Sequence, residues 1–400
     1  MALLPQEHLA SRNYGEAVAP AALAGLRAFD VIIVGAGIVG TAVARELACS
    51  GMRVAVIESH FPGGGITAAG MGHVVVMDDS PAQLALTKFS RSLWRQDVGE
   101  FPAAIEYESR GTIWVAADDE EMAEVYAKER TYATVGVAAL VLDAQALAEA
   151  EGNLRRGLAG GLLVPDDGVV YPPAAAAFYL KKAREYGATL FSSRAISAGR
   201  GEVCLADGRI LRAASIVLAT GSDCSLLPAL PMQKRKGHLA ITDRYPGFAH
   251  HQLVELGYLK SAHKLESDSV AFNVQPRSTG QILVGSSRQY GNEDTGVDRG
   301  ILRQMIARAT SYMPRLAELS TIRIWTGFRA STRDKLPLIG TATGVSDDPT
   351  LWLAVGFEGL GITNAPGAAR LLADELLGRT SQIDRRPYLP SRLIAEVAHG

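Results

Sequence analysis

Residues 29–59 read FDVIIVGAGIVGTAVARELACSGMRVAVIES, and this stretch decides the fold. Phe29 to Val34 is a continuous apolar run rich in β-branched residues, the pattern of a strand buried on both faces. Gly35, Gly37 and Gly40 follow at G-x-G-x-x-G spacing. An apolar-periodic helix is predicted from Ile38 to Cys49, stopped by Gly51, and a second strand from Arg53 to Ile57 ends in Glu58. Each part has a mechanical task. Gly35 permits the tight turn, Gly37 lets backbone approach a pyrophosphate, and Gly40 lets helix and strand pack closely. The helix N-terminus, at Ile38 and Val39, offers unpaired N–H groups and partial positive charge to phosphates. Glu58, 18 residues beyond Gly40, can accept both hydroxyls of an adenosine ribose and would repel a 2′-phosphate. Strand, glycines, helix, strand and acid in register predict a dinucleotide site.

Working outward, HFPGGGITAAGMGHVVVMDD follows Glu58, and its run of glycine and other small residues predicts a loop lying close against a flat ligand. Ser80 is a candidate N-cap for a helix through about Gln96. Strands are expected at Ile105–Glu108 and Gly111–Ala117, helices at Glu120–Val135 and Pro173–Tyr186, and a hairpin turn at Asp207-Gly208. A buried strand ends at Ala219-Thr220-Gly221. From 226 to 324 alternating strands appear around His238–Thr242, Leu256–Lys260, Val270–Gln275 and Gln281–Ser286, before a helix at Gly300–Tyr312. That stretch predicts an antiparallel sheet distinct from the βαβ opening. Near the C-terminus, a glycine turn (Gly356, Gly359, Gly361) precedes a long helix.

Four hundred residues favour two domains, with 48% hydrophobic and 20% charged residues, as in an ordinary globular enzyme. A net charge of −2 points to no nucleic-acid or anionic membrane partner. Three scattered cysteines, Cys49, Cys204 and Cys224, form neither a disulfide framework nor a metal pattern, so a reducing compartment and no metal are expected. With no signal-like leader and no uninterrupted apolar span, a soluble cytoplasmic protein is expected. No second G-x-G-x-x-G follows a strand, so a single dinucleotide is bound. The small-residue loop, the Ala-Thr-Gly strand end and the C-terminal glycine turn favour a resident flavin over an exchanging nicotinamide.

The fingerprint Gly35–Gly40, the Ala219-Thr220-Gly221 strand end, and the closing pair GFRAST and LPLIG…GFEGLGIT together resemble the FAD-dependent D-amino acid oxidase-type family, which includes glycine oxidase and sarcosine oxidase. Within it, the loop GGGITAAGMGHVVVMDDS is most similar to the flavin-bearing subunit of bacterial D-hydroxyproline dehydrogenases. The resemblance implies an α/β Rossmann-like FAD-binding domain with a discontinuous α+β substrate domain built on an antiparallel sheet. The expected division is an N-terminal arm at 1–28, an FAD-binding domain from 29–80, 160–225 and 325–400, and a substrate domain from 81–159 and 226–324. It also implies that Glu58 holds the ribose and that Gly65, Thr67 and Ala68 flank pyrophosphate and flavin. Met71, Gly72 and His73 then lie beside the isoalloxazine ring, and Gly359, Leu360, Gly361, Ile362 and Thr363 meet its pyrimidine edge. Arg329 matches the arginine that grips the substrate carboxylate, although Ala330 stands where the family usually has proline.

The activity implied is oxidation of a Cα–N bond with hydride transfer to FAD, the substrate being a small amino acid of D-hydroxyproline or D-proline type. A fixed guanidinium suits a carboxylate through bidentate contact. His73, Tyr258 and Tyr290 are further candidates beside the substrate, and Asn273 and Arg288 could reach the same pocket. Glu358 is expected to be a structural acid near the helix start. Electrons would leave to a partner subunit, ferredoxin-like or NADH-oxidising, and Asp223-Cys224 is a candidate contact edge. Two alternatives stand beside this: an oxidase of glycine or sarcosine type using oxygen, and a non-catalytic flavoprotein assembly factor.

Overall fold

A computed structural model describes residues 29–257 and 268–393. The expected N-terminal arm at 1–28 and Tyr258 lie outside the described residues.

The first strand, Phe29–Val34, is central to an eight-stranded sheet, paired in parallel with Val54–Glu58 on one side and Ile210–Leu218 on the other. Thr189–Ser192 and Leu351–Val355 extend it in parallel, and Leu338–Thr341 closes one edge antiparallel. Val31, Ile32 and Ile33 are fully buried, as a strand covered on both faces must be. Helices Ile38–Cys49, Pro172–Glu185 and Gly361–Leu376 pack together on one face, through alanines that allow close contact. A second apolar cluster fills the other face. Ile210–Leu218 does two jobs. Its first half pairs with Glu202–Leu205 across the Asp207-Gly208 turn, and its second half is the parallel neighbour of Phe29–Val34.

The second sheet has nine strands, in the order Phe357–Glu358, Thr321–Ser331, Gln233–Arg244, Gln281–Tyr290, Ser269–Pro276, Gln252–Glu255, Thr112–Ala116, Gly160–Val164 and Leu140–Asp143. It is antiparallel except where Gln252–Glu255 meets Thr112–Ala116 in parallel. Those strands are far apart in the chain, so no hairpin dictates their direction. A short pair, His73–Val74 with Gly168–Val169, lies apart from both sheets.

Several local expectations are corrected. Ile105–Glu108 is not a strand: a 3₁₀ turn ends at Ile105, Glu106 is left-handed at φ 51°, and Glu108 makes an isolated bridge to Val169. The glycine-rich segment after Phe61 is not all loop, because Gly65–Ala69 closes one short helix. Of the strand expected at Leu256–Lys260, Leu256 and Gly257 form a turn after the strand Gln252–Glu255, and residues 258–260 lie outside the described residues. Gly160–Val164 and Thr321–Ser331, at the expected domain limits of 160 and 325, both belong to the nine-stranded sheet. An apolar run reports that a strand is buried but not which sheet takes it.

Pro366 sits inside the helix Gly361–Leu376 and has no N–H for the Ile362 carbonyl four residues back. Trp94 supplies the missing donor. Its Nε1 donates to the Ile362 carbonyl at 3.2 Å and the Thr363 carbonyl at 3.0 Å, locking the helix Pro81–Asp97 against the first turn of Gly361–Leu376. No helix among the described residues is long and apolar enough to cross a membrane.

Candidate active site

A cavity of about 650 Å³ runs between the two sheets. At one end lies the glycine turn. Gly35 has φ 106°, and a Cβ there would come within 2.5 Å of the Ala219 carbonyl oxygen. A Cβ at Gly40 would come within 1.9 Å of the Gly35 oxygen, so Gly40 packs helix onto turn behind the cavity wall rather than lining it. Gly37, the N-cap, has no capping side chain of its own. The cap comes from 29 residues away: Thr67 Oγ1 accepts the Ile38 N–H at 3.0 Å. Glu58, at the end of its strand, accepts the Ala36 N–H at 2.8 Å and the His60 N–H at 2.9 Å, which holds its carboxylate at the cavity wall.

Gly65 also lines the cavity, and a Cβ at that position would meet nothing within 4 Å. The short helix Gly65–Ala69 leans on the strand Thr321–Ser331: Trp325 Nε1 donates to the Ala69 carbonyl at 3.2 Å, and a Cβ on Gly327 would lie 2.6 Å from that of Ala69. Met71, Gly72 and His73 line the cavity beyond it. Gly72, at φ 94°, is pinned by the Val170 N–H, which donates to its carbonyl at 2.8 Å. Thr363 Oγ1 donates to the His73 carbonyl at 2.8 Å and accepts the Val75 N–H at 3.3 Å. Thr363 is therefore a staple and not part of the wall, which Gly359, Leu360, Gly361 and Ile362 form. Thr220 and Gly221 line it from the strand end, while Ala68 is exposed outside it.

The other end is cationic. Arg329 is steered by two glycines: a Cβ at Gly237 would lie 2.7 Å from its Nη1, and one at Gly359 would lie 3.3 Å from its Nε. Its Nη1 donates to the Ser287 carbonyl at 2.9 Å. Glu358, left-handed at φ 53°, accepts hydrogen bonds from Arg235 at 3.2 Å and from the Gly359 N–H at 2.5 Å, and forms a longer ion pair with Arg288 at 3.8 Å. Burial would raise the Glu358 pKa, but the guanidinium groups of Arg288, Arg329 and Arg235 outweigh it and hold the carboxyl below its ordinary value. Glu358 thus organises three arginines, which fits the structural role expected of it.

His73 is neutral near pH 7. Burial pushes its pKa down to about 4, with the Arg277 and Arg329 charges adding to the effect. Its Nε2 is buried with no protein partner. Tyr290 does not line the cavity; its ring lies against the Arg235 guanidinium, 5.1 Å from the centroid. Asn273, Arg288 and Phe328 do line it. Cys224 is packed, half-buried, beside the core of the eight-stranded sheet, and burial raises its thiol pKa. No cluster of ligating side chains that could hold a metal is present among the described residues.

Sequence reasoning missed Arg235, Trp114 and Gln252. The run QKRKGHLA gives no sign which of its cations are buried, yet Arg235 and its neighbour Lys236 are both almost completely covered. Trp114 and Gln252 sit in apolar strand patterns that look like plain core.

The residues present fit an extended dinucleotide: the glycine turn, the capped helix N-terminus, the Glu58 carboxylate and the side-chain-free wall at Gly65 face one continuous cavity. The family described as DAO, FAD dependent oxidoreductase, matches residues 30–375. Glycine oxidase of Geobacillus kaustophilus is 27% identical over 392 residues, 92% of this chain and 98% of that protein. A D-amino acid dehydrogenase of Methylobacterium sp. is 28% identical, covering 77% of this chain and 73% of that protein. The crystal structure of the Geobacillus kaustophilus glycine oxidase superposes with a TM-score of 0.81 at 24% identity, over 92% of this chain and 99% of that one.

Proposed function

This chain belongs to the family of FAD dependent oxidoreductases, and from that premise we propose that it is a dehydrogenase for a small cyclic amino acid of D-hydroxyproline or D-proline type. The observation that carries the reading is Arg329, aimed into the cavity between two glycines with one nitrogen already fixed to the Ser287 carbonyl. Its remaining donors suit a carboxylate. The relatives, named as an amino-acid oxidase and an amino-acid dehydrogenase, support an amino-acid substrate and an enzyme rather than an assembly factor.

When bound, FAD supplies a two-electron acceptor. Oxidation of the Cα–N bond would hand the Cα hydrogen with its electron pair to that acceptor as the nitrogen lone pair forms C=N, the N–H proton staying on the iminium product. Arg329 binds and orients the carboxylate. Glu358 holds the Arg329 region in place by compensating Arg235 and Arg288. Neutral His73 contributes a hydrogen-bonding edge without charge. No protein base is required if the amine binds neutral.

The proposed electron acceptor is a redox partner subunit. A second reading, a glycine or sarcosine oxidase passing electrons to oxygen, is favoured by the glycine oxidase relative. One experiment separates them. The holoenzyme is mixed anaerobically with cis-4-hydroxy-D-proline, D-proline, L-proline, glycine and sarcosine, and flavin bleaching is followed. Bleaching by the D-prolines alone supports the leading reading; bleaching by glycine, with peroxide formed in air as fast as dye is reduced, replaces it with the second.

A further inference from the structure

We propose that Trp114, Gln252 and Asn273 form a subsite for a hydroxyl group on the ring or side chain of the substrate. The inference rests on the reading of the cavity as an amino-acid site. Three polar atoms, Trp114 Nε1, Gln252 Oε1 and Asn273 Oδ1, are buried without a protein partner, and all three residues line the cavity. Trp114 is 2% exposed and Gln252 1%, so bulk water does not compensate them. A buried polar group left unpaired costs roughly 1–3 kcal/mol. Three such groups on one wall mark a place where a ligand completes the bonding.

The sheet brings them together. Gln252 pairs with Thr112, and Val254 two residues on pairs with Trp114 in the parallel junction; on its other side Val254 pairs with Asn273. Strand alternation puts Gln252 and Val254 on one face, with Trp114 and Asn273 alongside. Two of the groups are held from behind. Gln252 Nε2 donates to the Gly168 carbonyl at 3.0 Å, which turns the amide oxygen to the unpaired side. The Lys128 ammonium lies 4.8 Å from the centroid of the Trp114 ring.

The set contains one donor and two acceptors. A carboxylate would leave the Gln252 oxygen unpaired whichever way the Asn273 amide turns, and an ammonium would leave the Trp114 N–H unpaired. A hydroxyl uses both kinds, accepting from Trp114 Nε1 and donating to a carbonyl oxygen of Gln252 or Asn273. Arg329, on a different strand, already suits the carboxylate. A substrate with a bare hydrocarbon ring would leave all three groups unsatisfied, and sites of this kind discriminate strongly against such analogues.

The test uses holoenzyme and two ligands with no oxidisable amine, cyclopentanecarboxylate and cis-3-hydroxycyclopentanecarboxylate, titrated by their perturbation of the oxidised flavin spectrum. The expected result is tenfold or tighter binding of the hydroxy acid, falling to threefold or less in Asn273→Leu and Trp114→Phe, with the affinity of the unsubstituted acid little changed. Equal affinities in the unaltered protein, no response to the hydroxy acid, or a preference that survives both substitutions would overturn the proposal. If a variant loses its flavin, the comparison in the unaltered protein decides alone. Failure of the amino-acid oxidation reading shows separately, as a flavin that no amino acid bleaches.

Discussion

The hydroxyl of Thr67 caps the backbone N–H of Ile38 at 3.0 Å, so the helix that starts at the glycine turn is finished by a residue from a different segment. The two parts of the cofactor wall are thereby fixed to one another before any ligand arrives. Thr67→Val keeps the shape and removes the acceptor, leaving a buried N–H unpaired. We expect FAD to bind roughly tenfold more weakly, from a loss of about 1–2 kcal/mol. Titration of apoprotein with FAD checks this, and Thr67→Ser should restore most of the affinity.

Glu58 meets the Ala36 and His60 N–H groups and still faces the cavity. Glu58→Gln keeps an acceptor oxygen but loses charge-assisted bonding, worth about twice a neutral hydrogen bond. FAD affinity should fall about tenfold in the same titration, with the fold intact by circular dichroism.

Arg329→Ala should raise the KM for the amino acid by roughly 10²–10³-fold, the loss of about 3–4 kcal/mol expected for a charge-paired carboxylate, while bound flavin is retained. Steady-state kinetics on flavin-loaded protein check this; an unchanged KM would remove Arg329 from substrate binding. Arg329→Lys should recover only part, since lysine lacks the planar fork.

Most of the βαβ opening was legible because its signals are local. Ile38–Cys49 is the helix the periodicity predicts, and Ser80 caps Pro81–Asp97, its Oγ accepting the Gln83 N–H. Cavity residues on the nine-stranded sheet were less legible. Trp114 and Asn273 are 159 residues apart and are joined only through Val254, a relation set by strand register rather than by spacing. Tyr290 shows the converse, since a tyrosine in the right strand turned toward Arg235 instead.

Glu358→Gln should destabilise the fold by about 3–5 kcal/mol, because Arg235, Arg288 and Arg329 would lose the charge that compensates them. Urea denaturation of the holoprotein measures it. Glu358→Asp, which keeps the charge on a shorter arm, should cost less.

His73 makes stability depend on pH in one direction. Its folded pKa, about 4, lies below the ordinary 6.5, so between those values the unfolded chain binds more protons and stability falls as the solution is acidified. The contribution is intact above pH 6.5 and its loss approaches about 3 kcal/mol near pH 4. His73→Asn should flatten that part of a plot of thermal midpoint against pH.

Proline inside the C-terminal helix would ordinarily be a fault line. Here the carbonyl it leaves open is the latch for Trp94, so the helix beginning beside Ser80 and the turn at Gly361–Thr363 must open together or not at all. In hydrogen exchange the two segments should behave as one cooperative unit, although nearly 270 residues separate them in the chain. A weakness in one helix has become the fastening between two.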